Sequence, residues 1–344
     1  MKQRWRASTL GRSASVLPSV DRNKIIIISL IQIFLSFLDL LGVLAVGLLG
    51  AVAVSGVAST KPENRVNEVL QFLQISETSF QLQTSILGAL AVILLLGRTF
   101  FSIFFTRRIL FFLSRRGASI SANLVSRMLS QPLMLIQTRS TQEIIFSVTR
   151  GVEYLVLNVI ATGVVLFADI SLLVVMGIGL FIVDPITAIS TILLFSVIGL
   201  SLYRLLHVRA GDLGLKSSKL TIESNEKVAE VFGSYRESIV RNRRDYYSRE
   251  IGKQRYHLAE TMAEIYFMPF IGKYLIETSV VLGALLVGAV QFVLQDTSQA
   301  VATLAIFLAA GTRIAPSVLR VQQGWLQIRG GLGAAGSTLN LIEV

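Results

Sequence analysis

The chain has 344 residues, of which 53% are hydrophobic and only 15% are charged, and its mean hydropathy is +0.66. This composition excludes an ordinary soluble domain and indicates a membrane protein. The absence of cysteine excludes a disulfide framework and a thiolate metal site, while the net charge of +11 points to an anionic partner.

The positive charge is concentrated in three stretches. Most of the 32 lysines and arginines lie in residues 1–24, 107–150 and 204–255, whereas the loops predicted on the opposite side hold only Lys61 and Arg65. Cytoplasmic loops of membrane proteins carry such an excess of basic residues. We therefore expect a multi-pass protein of the plasma (inner) membrane with both termini in the cytoplasm. Anionic headgroups and a cytosolic partner account for the basic stretches, and nucleic acid is not an expected partner.

Six hydrophobic segments follow a basic cytoplasmic tail, residues 1–24. Each exceeds the roughly 20 apolar residues that a helix needs to cross a bilayer. A strand barrel is excluded, because its segments would alternate in hydrophobicity and be about half as long. We therefore expect an all-α membrane protein with six long transmembrane helices. The predicted spans are about 25–57, 85–112, 152–183, 185–206, 268–294 and 300–319.

A short helix is predicted on the outer surface between the first two spans. Pro62 suits the first turn of a helix, and Val66, Val69 and Leu73 would then share one apolar face. The helix could lie on the membrane surface. A packed loop helix without a functional role explains the pattern equally well.

Two long inner stretches separate the second span from the third and the fourth from the fifth. They contain few prolines or glycines and place apolar residues at helical spacing, such as Leu113, Ile120 and Leu124. We expect the membrane helices to continue far into the cytoplasm as antiparallel pairs. Each pair would turn at its far end, and these two turns are called the tips.

The first tip is predicted at Pro132, which ends one helix. Ser140, with Glu143 three residues later, forms a capping box for the next helix. Gln137 and Thr138 would lie between them, exposed to a partner.

The second tip is predicted within residues 221–233. A polar run containing Glu223 and Glu226 precedes Gly233, and glycine often ends a helix. We expect both carboxylates to be accessible to the same partner as the first tip.

Six ionisable side chains lie within the predicted spans or directly after one, among residues that are otherwise suited only to a lipid environment. An ionisable group at bilayer depth normally faces a protein interior or a watery cavity and marks a pathway. Pro316 removes a backbone hydrogen bond from the last span, and the resulting bend could serve as a gate. The six residues are Asp39, Arg98, Asp169, Glu277, Arg313 and Arg320.

The basic members of this set suggest a binding site for an anion. Arg313 and Arg320 are seven residues apart, which places them on one helix face about 10 Å from each other. Arg98 and Lys273 could complete a basic lining that holds a pyrophosphate. Alternatively the charges are ion pairs that fix the register of the helices: Lys273 with Glu277 at i,i+4, and Asp39 or Asp169 with Arg98.

This architecture resembles the transmembrane domain of ABC exporters. Within residues 230–250 a glycine precedes an amphipathic, basic run, as it does after that family's second coupling helix. The sequence RIAPSVLR, residues 313–320, matches the R-x-x-P-S-x-x-R pattern of PglK-type flippases of lipid-linked oligosaccharides, and Gln142-Glu143-Ile144 resembles their entry into the third helix. Lys273 stands where this resemblance leads us to expect arginine, and it lacks the bidentate fork that suits phosphate.

The resemblance implies an ABC exporter fold in a domain-swapped dimer. Residues 25–330 would form the transmembrane domain, and residues 331–344 would begin a linker to an ATPase domain. The two tips would be coupling helices seated on that ATPase, which would bind ATP and Mg²⁺, since this chain is expected to hold no cofactor itself. The ATPase is either encoded separately or missing from this sequence. A second copy is also expected because one set of six helices would leave its charged face against lipid.

The cargo implied by the resemblance is a lipid-linked (polyprenyl-diphosphate) oligosaccharide or a similar anionic amphiphile. Its cavity would be lined by four cations, with three carboxylates as buried charge partners. The cations are Arg98, Lys273, Arg313 and Arg320, and their partners are Asp39, Asp169 and Glu277.

Other functions remain open. The same fold could export a peptide, a drug or a lipid, or a degenerate domain could act as a scaffold or receptor. An ion-coupled carrier would also use intramembrane carboxylates, but the sequence has no inverted repeat of the kind such carriers usually show. No catalytic constellation is recognisable, and His207 and His257 lack a partner at metal-ligand spacing.

Overall fold

The computed structural model describes residues 19–58, 79–183, 185–294 and 297–342, and these residues form helices without any strand. Most of the basic tail and the predicted outer helix lie outside this part of the chain. Two π-helical segments, Ser147–Gly151 and Tyr154–Ala161, connect the helices Thr141–Phe146 and Thr162–Val183. The α-helices are α1 Ser19–Ala58, α2 Phe80–Leu129, α3 Leu133–Ile136, α4 Thr141–Phe146, α5 Thr162–Val183, α6 Pro185–Gly233, α7 Tyr235–Val240, α8 Arg244–Leu294, α9 Thr297–Ala334 and α10 Gly336–Ile342.

Five helical stretches in the described part are long and apolar enough to cross a membrane. They lie in α1, α2, the continuous rod from α4 to α5, α6 and α8, and they include the first five predicted spans in whole or in part. The sixth predicted span lies in α9, where most side chains between positions 291 and 310 fall outside the description. The described residues are therefore confirmed as almost entirely helical and able to cross a membrane several times, while the sixth span and the ABC exporter fold stay predictions.

Three helices are much longer than a bilayer is thick. α2, α6 and α8 have 50, 49 and 51 residues, which correspond to about 75 Å each, against about 30 Å for the hydrocarbon core. The inner stretches are thus helical, as their apolar spacing predicts. The first tip lies between α2 and α4 and includes α3, and the second lies between α6 and α8 and includes α7.

The helix α9 packs mainly against α5, α6 and α8, and it also contacts α1. The largest cluster of buried apolar side chains forms there and includes Met176, Leu202, Ile276 and Ile314, one from each of these four helices. The helices α1 and α2 pack along each other, and α1 also packs onto α5. Within one chain, α6 and α8 therefore pack on their own α9. The swapped dimer stays a prediction, because it requires a second copy.

The backbones of α6 and α9 approach each other closely at glycines. A Cβ atom added at Gly214 would lie 2.1 Å from the carbonyl oxygen of Gly330, and one added at Gly333 would lie 2.4 Å from that of Gly211. No side chain fits at Gly214 or Gly333 unless the two helices separate. Small residues permit such contacts between membrane-protein helices.

The segment predicted as the start of a linker forms α10 and packs on the helical core. Thr338 and Ser147 are fully buried, and the Thr338 hydroxyl donates a hydrogen bond of 3.0 Å to the Ser147 carbonyl. Leu339 packs against Leu155 and Ala335 in a small apolar cluster. The C-terminal helix is therefore attached to the π-helical segment that follows the first tip.

Candidate functional site

Arg320 and Asp169 connect α9 to α5. The Arg320 Nε donates to Asp169 Oδ1 at 2.8 Å, and an Arg320 terminal nitrogen donates to the Ser317 hydroxyl at 2.8 Å. Asp169 is buried, whereas the Arg320 side chain is 45% exposed. The sequence predicted both residues but did not predict that they form a pair.

A second ion pair, Arg98 with Asp39, connects α2 to α1 at 3.4 Å, and Asp39 is almost completely buried. The two pairs lie on neighbouring helices, because α1 packs onto α5. We call Asp39, Arg98, Asp169 and Arg320 the charge cluster. Its two carboxylates balance its two guanidinium groups, so the cost of placing each charge away from water is offset by a partner.

Lys273 and Glu277 form the ion pair that their i,i+4 spacing predicts, with 3.9 Å between Nζ and Oε1. Both side chains are about half exposed on α8. Among the described residues, neither makes a hydrogen bond or an ion pair with the charge cluster. The charge cluster thus contains four of the seven predicted charges. Lys273 and Glu277 form a separate pair.

The remaining predictions for the last span concern Arg313 and Pro316. Arg313 is helical, but its side chain lies outside the described part of the chain. Pro316 lies inside α9, which continues on both sides of it. The gate at Pro316 and the role of Arg313 in binding cargo both stay predictions.

The first tip has the predicted sequence signals. α2 ends at Leu129, and Pro132 precedes the short helix α3. The Ser140 hydroxyl accepts a hydrogen bond of 3.2 Å from the Glu143 backbone N–H and so caps α4. The Glu143 carboxylate pairs with Arg139 instead. Gln137 and Thr138 are exposed in the turn between α3 and α4.

The second tip lies later in the chain than predicted. The run of residues 221–226 is not a break but part of α6, which ends at Gly233 as predicted. The Thr221 hydroxyl bonds to the Ser217 carbonyl at 2.7 Å, and Asn225 accepts a weak hydrogen bond of 3.4 Å from Arg255 of α8. Contacts of this kind satisfy the polar side chains without interrupting the helix. Both Glu223 and Glu226 remain exposed, but on the side of α6 rather than in a turn.

The turn of the second tip is built by Asn242. Its φ of 50° places it in the left-handed region, and it follows the short helix α7. The Arg243 N–H bonds to the Ser238 carbonyl at 3.0 Å and the Asn242 N–H to the Ile239 carbonyl at 3.0 Å, which is the pattern of a Schellman cap. Asparagine tolerates this conformation, so Asn242 was a signal for the turn that the sequence analysis missed.

The sequence analysis also missed an apolar groove of about 1000 Å³ between α5, α6 and α9. Gln322 and Trp325 line it near one end. Their polar atoms are buried and lack a hydrogen-bond partner among the described residues. The polar side chains of residues 320–329, RVQQGWLQIR, directly after the last predicted span, are the signal that could have pointed to it.

A metal site is not visible in the described part of the chain, where no three His, Asp or Glu side chains are grouped. The ring of His207 stacks on Tyr203, and its Nδ1 lies 2.8 Å from the Tyr203 carbonyl oxygen. His257 lies 3.6 Å from Glu260 on the exposed side of α8.

Neither a comparison with models of protein families nor a comparison with curated proteins found a match. The function of the chain is therefore inferred from its own geometry, above all from the tips, the charge cluster and the groove.

Proposed function

We propose that the chain is the membrane-spanning half of an ATP-driven transporter of the ABC exporter type. In this proposal α9 is the sixth span, both termini are cytoplasmic in the plasma membrane, and two copies act with an ATPase. The cargo is an anionic amphiphile, and a polyprenyl-diphosphate oligosaccharide is the first candidate. The energy comes from ATP and Mg²⁺ bound by the ATPase, since this chain supplies no recognisable nucleotide loop.

The observation that carries this proposal is the exposed apolar surface at both tips. Met134 in the first tip and Val240 in the second are 82% and 80% exposed, and Leu133 and Phe232 are also largely exposed. The first tip lies about 25 Å beyond the predicted membrane end of α2 and the second about 40 Å beyond that of α6. Apolar side chains so far from lipid indicate a protein partner.

The charge cluster provides the groups that the cargo would contact. Arg320 uses two of its five N–H donors on Asp169 and Ser317, and the side chain remains about half exposed. A phosphate can therefore bind to the remaining donors while the pair with Asp169 stays intact. This arrangement keeps the guanidinium in place when no cargo is present.

The experiment is ATP-driven transport in proteoliposomes that contain the chain and its ATPase. The variants Met134→Glu and Val240→Glu place a charge on each tip and are expected to abolish transport and ATPase binding. Ser119→Glu is the matched control, because Ser119 is an exposed residue of α2 away from the tip. Unchanged transport and unchanged ATPase binding in both tip variants would exclude the coupling role.

The cargo class is tested in the same vesicles by competition. A labelled polyprenyl-diphosphate oligosaccharide is offered with an excess of unlabelled peptide, drug or phospholipid. Competition by one of these would assign the chain to the corresponding exporter. A chain that binds no ATPase and moves none of these compounds would be a scaffold or receptor.

A further inference from the structure

The groove between α5, α6 and α9 has the shape of a channel for a hydrocarbon chain. Its lining on α6 runs from Thr191 to Tyr203, a length of about 18 Å. This exceeds half of a hydrocarbon core about 30 Å thick, which is the depth of one leaflet. The walls consist mainly of aliphatic and aromatic side chains, among them Leu173, Phe195, Leu200, Val318 and Leu326.

The groove opens sideways, onto a surface that a bilayer would cover. Ile178 and Phe181 on α5 and Ile192 and Leu200 on α6 line it and are each about half exposed. All four are residues that favour hydrocarbon over water. A lipid chain could therefore enter from the bilayer without crossing a polar surface.

The end of the groove near Tyr203 is polar, and its hydrogen-bonding groups lack partners. Gln322 is 9% exposed, and neither of its amide atoms has a hydrogen-bond partner among the described residues. The same holds for the buried indole N–H of Trp325 and for the Nε of Arg329, whose guanidinium lies 5.5 Å from the centre of the Trp325 ring. Spaced at 322, 325 and 329, these residues share one face of α9. A buried donor without a partner costs free energy, so this end is suited to a ligand rich in acceptors.

We propose that this groove binds one chain of an anionic membrane phospholipid, with the headgroup held by Trp325 and Arg329. The charge favours a lipid over a second copy of the chain: this end of the groove supplies mainly donors and one positive charge, whereas a second copy would bring the same net charge of +11. Tryptophan and tyrosine are also the residues found at headgroup depth. The site goes beyond the proposed transport role, because it requires only that the chain lie in a membrane.

Tryptophan fluorescence can test this site directly. The chain has two tryptophans, Trp5 and Trp325, so Trp5→Phe leaves Trp325 as the only reporter. The full chain is placed in phosphatidylcholine vesicles that contain an increasing fraction of either brominated phosphatidylglycerol or brominated phosphatidylcholine. We expect quenching by the anionic lipid to need about fivefold less of it, the factor expected for one cation near an anionic lipid.

Two variants with matched controls locate the lipid. A Cβ at Gly199 would meet no protein atom within 4 Å, and Gly199 lines the groove, so Gly199→Leu fills the groove rather than the protein core. Gly163 is equally open but does not line the groove, so Gly163→Leu is its control. Gly199→Leu should reduce quenching by brominated phosphatidylglycerol to the level seen with brominated phosphatidylcholine. Gly163→Leu should leave the quenching by both lipids unchanged.

The headgroup contact is tested by removing one charge. Arg329→Gln should remove the preference for the anionic lipid, whereas Arg204→Gln, which removes an exposed cation of α6, should preserve it. Circular dichroism and gel filtration establish that each variant is folded. If Gly199→Leu does not fold, Ser196→Phe blocks the same groove from an exposed position.

Three results would overturn the proposal. The first is equal quenching by the two lipids, and the second is quenching that persists when the groove is filled. The third is a loss of quenching that follows dimer formation at a high protein-to-lipid ratio, which would assign the groove to a second copy. None of these measurements involves ATP or cargo, so they leave the proposed function untouched.

Discussion

Arg320 donates through its Nε to Oδ1 of Asp169 at 2.8 Å and so joins two helices across 151 positions of sequence. Together with Arg98 and Asp39 this pair forms a charge cluster without net charge. A neutral cluster costs less inside a membrane protein than four separate charges would. The cluster therefore explains how this chain can hold ionisable groups in its apolar segments.

A double-mutant cycle should measure the Arg320–Asp169 pair. Arg320→Gln leaves Asp169 buried without its partner and should lower the free energy of unfolding by about 2 kcal/mol. This is less than the cost of breaking a fully buried pair, because Arg320 is half exposed. Adding Asp169→Asn should recover part of the loss, as measured by thermal unfolding in detergent. Strictly additive effects would show that the pair contributes no coupling energy.

The close contact between α6 and α9 predicts opposite effects for two similar substitutions. Gly214→Ala adds a Cβ that would lie 2.1 Å from the Gly330 carbonyl oxygen, so it should destabilise the fold by about 2 kcal/mol. Gly211→Ala, three residues earlier on α6, meets no atom within 4 Å. Because alanine favours a helix over glycine, it should be neutral or stabilising by up to about 1 kcal/mol. Thermal unfolding of both variants checks this, and equal effects would contradict it.

Much of the helical framework could be predicted because its signals are local. Apolar runs, Pro132 and the Ser140 cap act within a few residues, and the Lys273–Glu277 pair follows from helix geometry alone. The second tip was misplaced because polarity alone does not break a helix. The run of residues 221–226 keeps its backbone hydrogen bonds and finds partners on α6 and α8.

The hydrogen bond between Thr338 and Ser147 should hold α10 in place. Thr338→Val keeps the shape of the side chain but leaves the Ser147 carbonyl without this donor, at a cost of about 1–2 kcal/mol. Hydrogen exchange of residues 336–342 should accelerate accordingly. Asn340→Ala, an exposed change on the same helix, should leave the exchange as it is. Equal exchange rates in the two variants would mean that the bond does not hold the helix.

The proposed cargo site predicts a functional effect at Arg313. Arg313→Ala should abolish translocation without loss of folded protein, because the cargo phosphate loses a bidentate donor. Thr312→Ala is the control on the neighbouring position. The readout is ATP-driven transport of labelled cargo together with the yield of folded protein. Normal translocation by the Arg313 variant would remove this residue from the cargo site.

The candidate site was harder to predict than the framework, because its contacts join distant parts of the chain. The tendency of charges in a membrane to pair offered Asp39 or Asp169 as a partner for Arg98, but nothing local connects Asp169 with Arg320. The groove depends on how α5, α6 and α9 pack, so the sequence alone could not show that Gln322 and Trp325 line it. The π-helical segments, SVTRG and YLVLNVIA, likewise have no sequence signal that we identified.

At Gly214 and Gly333 the backbones of α6 and α9 touch, so no side chain lies between them there that could adjust by changing its rotamer. We expect the two helices to move together at this level, and an alternation between two shapes to divide the chain elsewhere. The interface at which the chain could divide, called the seam here, lies beside the hairpin of α1 and α2. Each hydrogen-bonded or ion-paired couple of the charge cluster stays on its own side of that seam, Asp39 with Arg98 and Asp169 with Arg320. Apolar packing also spans it, since Ile109 and Leu113 of α2 cluster with Val152, and the Ser121 hydroxyl donates a hydrogen bond to the Val148 carbonyl. Opening it would therefore expose apolar surface and break that hydrogen bond, while the two ion pairs stay closed.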